Sequence, residues 1–225
     1  MTDVPNILEL SMLELRGSDF VPGALVSAVP ELLLLQGTLE CNTWHNNETT
    51  WTHTWQVFEN VRWLLVQPGL SGMSESFDLD AIDGRTLAEL FAWANVLHDV
   101  AKPATQDIHL HEGARRSLYP GHEAAGAEMA RTILARLGFT SAQVEWVAYI
   151  VRWHGDMHAF FGKPAAEFEV RRADWQAAHP HHWRELFLHS WADTMGGYLE
   201  HTNKAEYDLR LERYAQILCD SKSTI

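Results

Sequence analysis

The sequence predicts an all-α protein, a helical bundle with a polar site held between its helices. Two observations carry that prediction. Apolar residues recur at helical spacing in segment after segment of the 225-residue chain, and several of those stripes begin or end on a histidine or an aspartate. Proline and glycine punctuate the chain between stripes but no linker divides it, so residues 1–225 are expected to form one domain, its core at about 24–199.

Residues 1–22 show no clear periodicity beyond Ile7, Leu8 and Leu10. From Pro22 to Leu35, Leu, Val and Ala dominate, which suggests a short helix or two broken at Pro30. Residues 36–52 are polar and read as a loop, delivering the chain to a helix over about 53–67 with Val57, Val61 and Leu64 on one stripe and His53 at its N-terminal end. Pro68-Gly69 and Ser71-Gly72 form a connection to the next helix, where Leu87, Phe91, Ala94 and Leu97 recur and Ala88, Ala92 and Val96 fill the other flank. Pro103 cannot continue that helix, so His98 and Asp99 fall in its last turns. Residues 105–118 are mostly polar and read as a mobile loop beside the site. Pro120-Gly121-His122 opens a helix with His122, Gly126, Met129 and Ile133 on its inward stripe, ending at Gly138. Thr140 and Gln143 make a capping-box pattern for the next, which buries Val144, Val147 and Val151 and ends on His154. A helix over 181–195 places Trp183, Leu186, Ser190 and Asp193 on one face, and Gly196-Gly197 stops it. The last helix, 204–218, carries Tyr207, Leu211, Tyr214 and Leu218 on its stripe with Arg210 and Arg213 off it, as a surface helix would.

Composition narrows the function. Thirteen histidines and ten tryptophans exceed ordinary usage, and a net charge of −13 argues against gripping long nucleic acid by its phosphates, which takes clustered Lys and Arg. The start lacks a signal peptide's basic and apolar regions, and no apolar run approaches bilayer length, so a cytoplasmic protein is expected. Cys41 and Cys219 have no zinc-ligand spacing, which leaves imidazole and carboxylate as metal donors.

Inward polar residues thus sit near the ends of five helices: His53, His98 with Asp99, His122, His154 and Asp193. A buried carboxylate is costly unless paired or bound to a cation, so a divalent metal is the first expectation, and this donor set suits Mn, Mg, Co, Ni, Fe or Zn with water completing the shell. Such an ion activates water and polarises a phosphoryl oxygen, which points to phosphoester hydrolysis. Taken singly, His122 or His154 is equally well explained as a hydrogen-bonded core histidine, and Asp193 as a helix cap. The loop residues His45, His109, His111, His179, His181 and His182 are expected to face solvent, with His45 and Glu48 a possible support to the site; Trp44, Trp51 and Trp55 are expected to pack in the core.

The ordered set His53, His98-Asp99 and Asp193 resembles the HD-domain superfamily of metal-dependent phosphohydrolases. The local wording, Thr50-Trp51-Thr52-His53-Thr54, Leu97-His98-Asp99-Val100-Ala101-Lys102-Pro103, Tyr119-Pro120-Gly121-His122-Glu123, Arg152-Trp153-His154 and Ala192-Asp193, is similar to the HD domain attached to bacterial tRNA nucleotidyltransferases. The resemblance implies an all-helical HD fold and a divalent metal held by His53, His98, Asp99 and Asp193. His122 and His154 would be ligands of a second ion, and Lys102 and Arg152 would face the substrate phosphate, with Asp99 serving as ligand and base. It also implies hydrolysis of a small phosphate ester, a nucleotide above all, by a nucleotidase, triphosphohydrolase or cyclic phosphodiesterase. Nothing before His53 resembles a nucleotide-transfer motif, so addition to tRNA is not expected. The rival reading is a non-catalytic HD domain that binds a nucleotide or protein partner around a structural metal.

Overall fold

The computed structural model describes residues 23–67 and 80–222, with Ile7, Leu70 and Phe77 besides. The readings of 1–22 as aperiodic and of the Pro68-Gly69 and Ser71-Gly72 connection lie outside the described residues, Ile7 excepted. The chain is mostly helical. Helix α1 (Gly23–Ala28) ends before Pro30, which opens a 3₁₀ turn, Pro30–Gly37, so the break falls where proline predicts it. A two-stranded ribbon, β1 (Leu39–Glu40) with β2 (Glu48–Thr49), then closes the loop ahead of α2 (Thr50–Leu65). That helix starts three residues before the expected His53, because the Thr49 hydroxyl accepts from the Thr52 amide and caps it there.

A second ribbon, β3 (Ala81–Ile82) with β4 (Arg85–Thr86), leads into α3 (Leu87–Leu97) and the short α4 (Lys102–Thr105). Residues 107–118, expected as a mobile loop, form an antiparallel hairpin of β5 (Asp107–His111) and β6 (Ala114–Leu118), with His111 opposite Ala114. Its two-residue turn, Glu112-Gly113, takes positive φ at both positions (50° and 79°), the turn geometry that matches strand twist. All but Ser117 of this hairpin is exposed, so no apolar face marked it in the sequence.

Helices α5 (His122–Arg136) and α6 (Ser141–Trp153) pack as an antiparallel pair, the second opened by the expected capping box at Thr140 and Gln143. The pair fits tightly: a Cβ on Gly126 would stand 3.2 Å from Val151 and 3.5 Å from the His98 carbonyl. Two helices follow that were not expected, α7 (His158–Phe161) and α8 (Ala165–Ala178); the second buries little besides Phe168 and Trp175, too few positions to read as a stripe. Then come α9 (Trp183–Gly196), α10 (Leu199–Thr202) and α11 (Lys204–Lys222). Helix α9 lies against α2 so closely that a Cβ on Gly196 would meet the Val57 side chain at 2.9 Å, and Asn60 donates to the Ala192 carbonyl at 3.1 Å. That approach brings Asp193 to His53.

One hydrophobic core runs through these helices, with Trp93, Phe91, Val147, Leu186 and Tyr214 at its centre, and Trp51 and Trp55 belong to it. On the last helix two charged residues depart from the expected solvent-facing positions. Arg210 and Arg213 are 3% and 5% exposed: the first stacks on Trp44 and pairs with Glu206 at 2.7 Å, while the second donates to the carbonyls of Phe161 and Lys163. Their alkyl stems make them buriable, which polarity alone hides. Among the described residues no helix is long and apolar enough to cross a membrane.

Candidate metal centre

The inward ends of α2, α3, α5, α6 and α9 meet at one cavity of about 240 Å³. His53 comes from the first turn of α2, His98 and Asp99 from the turn that ends α3, His122 from the start of α5, His154 from the end of α6, and Asp193 from the last turn of α9. All six line the cavity.

Tautomers follow from the backbone. The Nδ1 atoms of His98, His122 and His154 lie 2.7, 2.9 and 2.8 Å from the carbonyls of Asn95, Tyr119 and Val151, each three residues back. A carbonyl only accepts, so each Nδ1 carries a proton and each Nε2 is left to face the cavity. Those Nε2 atoms converge on Asp99. His98 Nε2 is 2.9 Å from Oδ2, and the Nε2 atoms of His122 and His154 are 3.4 and 3.7 Å from Oδ1 and 3.3 Å from one another. Neither His98 Nε2 nor Asp99 Oδ1 has a hydrogen-bond partner, although both are buried.

The donors fall into two sets that share a border. His53, His98 and Asp193 hold ligand atoms within 4.8 Å of one another, as do Asp99, His122 and His154. Asp99 Oδ2 is 3.9 Å from His53 Nε2, so its carboxylate stands between the sets. An imidazole and carboxylate shell with converging Nε2 atoms fits a divalent cation.

Around this shell the charges are balanced locally. Burial raises Asp99, but His98 and Lys102 hold it well below the usual carboxylate range. Burial acts the same way on Asp193, and His53 and His158 at 2.7 Å each outweigh it. Burial would depress His53, yet Asp193 lifts it to about 9. His154 goes the other way, held well below its ordinary value by burial and the neighbouring His122 and His98.

Four further residues escaped sequence reasoning or were underrated by it. His158, on α7, grips Asp193 Oδ2, and its only sequence signal is its place four residues after His154. His189, one turn before Asp193, meets the Asn95 side chain at 2.8 Å. Glu40 is fully buried, 2.8 Å from Lys102 Nζ and 3.1 Å from His45 Nε2. His45, expected in solvent, is 8% exposed and holds Glu48 at 3.0 Å, and the Glu48 carboxyl is pushed up to about 8 by burial. His179, likewise expected outside, is 4% exposed against the Tyr149 hydroxyl; His182 is half-buried, while His109, His111 and His181 are exposed. Lys102 lies buried between Glu40 and Asp99, its Nζ 2.8 Å from each. Arg152 stacks on Trp153 at 4.4 Å and does not line the cavity.

Comparison with known proteins places the chain in a family. Residues 50–221 match the HD domain. The chain is 34% identical over 152 residues to a CC-adding tRNA nucleotidyltransferase of Thermus thermophilus, covering 68% of this chain and 30% of that protein. It is 43% identical over 83 residues to an A-adding tRNA nucleotidyltransferase of Deinococcus radiodurans, covering 37% of this chain and 18% of that protein. The matched stretch is thus less than a third of the length of either relative.

Proposed function

The chain belongs to the HD-domain family, and from that premise we propose that it is a divalent-metal-dependent phosphohydrolase acting on a phosphate ester of nucleotide type. The observation that carries the reading is the convergence of three imidazole Nε2 atoms on the Asp99 carboxylate, an arrangement that a bound cation stabilises. His53, His98, Asp99 and Asp193 would hold one ion, and His122 and His154, with Asp99 between the two sets, would hold a second. A divalent ion supplies acidified water and pull on a phosphoryl oxygen.

The protein's own groups do the rest. Asp99 Oδ1, free of hydrogen bonds on the cavity wall, orients the attacking water and takes its proton. Lys102 is committed to Asp99 and Glu40, so it keeps Asp99 ionised rather than reaching for substrate. Arg152, expected at the substrate phosphate, is off the cavity wall.

The test is phosphate release from a panel of nucleotides and simple phosphate esters with Mn, Mg, Co or Ni supplied. Release should vanish after chelator treatment and return with metal; tightly held metal with no turnover on any ester would favour a binding module instead. A second expectation concerns protons. His53 titrates near 9 in the metal-free protein, and a ligand must be deprotonated, so metal uptake at pH 7 should release about one proton and strengthen about tenfold per pH unit up to 9. Calorimetry in buffers of different ionisation heat reads that proton directly, and heats independent of buffer would remove His53 from the ligand set.

A further inference from the structure

At 240 Å³ the cavity is smaller than the ~300–1,000 Å³ in which proteins bury ligands of nucleotide size, so part of such a substrate extends beyond its mouth. A cavity of about 620 Å³ opens on the other side of the same loop. Trp44 and His45 face the catalytic cavity, while Asn42, Asn46 and Asn47 line the larger one.

Its lining is basic, whereas the chain as a whole is acidic. The opposite wall is the β5–β6 hairpin, which contributes Arg115 and Arg116, and Thr202 closes one end. No acidic residue lines it, although the chain has 30 Asp and Glu against 17 Lys and Arg. Every other described arginine touches a carboxylate, a carbonyl or an aromatic ring: Arg62 lies over Phe58, Arg85 pairs with Glu89, Arg131 with Glu145, Arg136 with Glu31, Arg152 stacks on Trp153, Arg171 pairs with Glu167, Arg172 with Glu169 and Arg184 stacks on Trp183. Arg210 and Arg213 complete the set with Glu206 and the Phe161 carbonyl. Only Arg115 and Arg116, among the described residues, have no such contact. The wall that carries them is fixed, because Cys41 and Ser117 exchange two hydrogen bonds at the base (2.7 and 3.2 Å) and the Tyr119 hydroxyl donates to the Leu39 carbonyl at 2.9 Å.

We propose that this groove is a second phosphate subsite, in which Arg115 and Arg116 hold a non-reacting phosphate of the substrate while another phosphate occupies the catalytic cavity. The proposal rests on the phosphohydrolase reading and deepens it: the substrate carries at least two phosphates, in a short oligonucleotide or in a polyphosphate chain. Guanidinium suits that group because it presents a fork of donors to two oxygens, and asparagine amides supply neutral donors beside it.

The test measures binding before turnover, so that it stands apart from the catalytic claim. A labelled trinucleotide is titrated by anisotropy, with tripolyphosphate and inorganic phosphate as competitors, against the wild-type protein, an Arg115→Ala/Arg116→Ala variant and an Arg131→Ala/Arg171→Ala control of equal charge. Expected is a loss of tenfold or more in the first variant only, with a shallower salt dependence, since two phosphate contacts are gone. The competitor that displaces the label at the lower concentration identifies the chain type. Equal losses in both variants, no loss in either, or no measurable wild-type binding would each overturn the proposal. In turnover, the same variant should raise KM for the multiply phosphorylated substrate while sparing kcat and the hydrolysis of a simple monoester.

Discussion

Asp99→Asn should lower phosphate release by about 10²–10⁴-fold, the range for losing a positioned general base, while the protein stays folded. The fold should survive because the amide keeps the carboxylate's shape and adds a donor. Lys102, which loses one of its two carboxylates in this variant, keeps the other, Glu40, 2.8 Å from its Nζ. What the variant loses is charge at the junction of the two donor sets. Metal retained after gel filtration should therefore fall together with turnover. Full metal content with turnover within tenfold of wild type would show that Asp99 neither binds the ion nor moves the proton.

The residues that make this prediction possible were readable in the sequence for a physical reason. His53, His98, Asp99, His122, His154 and Asp193 sit on apolar helical stripes, where a polar group is conspicuous because burial makes it costly. Glu40 and His158 gave no such signal. Glu40 lies on a two-residue strand and His158 in a four-residue helix, segments too short to have a periodicity that could be violated. The hairpin over 107–118 escaped for the opposite reason: both of its faces are exposed, so its alternation of Ile108 and Leu110 with polar residues marks no core. Arg210 and Arg213 misled because their charge predicts solvent, whereas, apart from Glu206 on the same helix, their partners are carbonyls and aromatic rings supplied by distant parts of the chain. Periodicity reports which face is buried; it does not report what crosses from another element to meet it.

Lys102 shows the difference in energetic terms. An exposed lysine at a helix end would be worth less than about 1 kcal/mol, but this one is buried with Nζ 2.8 Å from both Glu40 and Asp99. Lys102→Met should destabilise the chelator-treated protein by about 3–5 kcal/mol in urea unfolding, because it strands two buried carboxylates that the ammonium had neutralised. Adding Glu40→Gln removes one of the stranded charges, so the double variant should be more stable than Lys102→Met alone. The pH window has a definite sign. Asp99 is held below its ordinary 3.8, so its contribution is present above that value and is lost as pH falls through its lower folded value. Lys102 is raised above 10.5, with Asp99 and Glu40 overcoming the opposing effect of burial, so its contribution is full below 10.5 and fades only as pH rises through its higher folded value. The gap between wild type and Lys102→Met should accordingly stay wide from about pH 4 to pH 10 and close in acid, where protonated carboxylates no longer need a counter-ion. A loss below about 1 kcal/mol at pH 7 would mean that water, rather than Lys102, compensates Glu40 and Asp99.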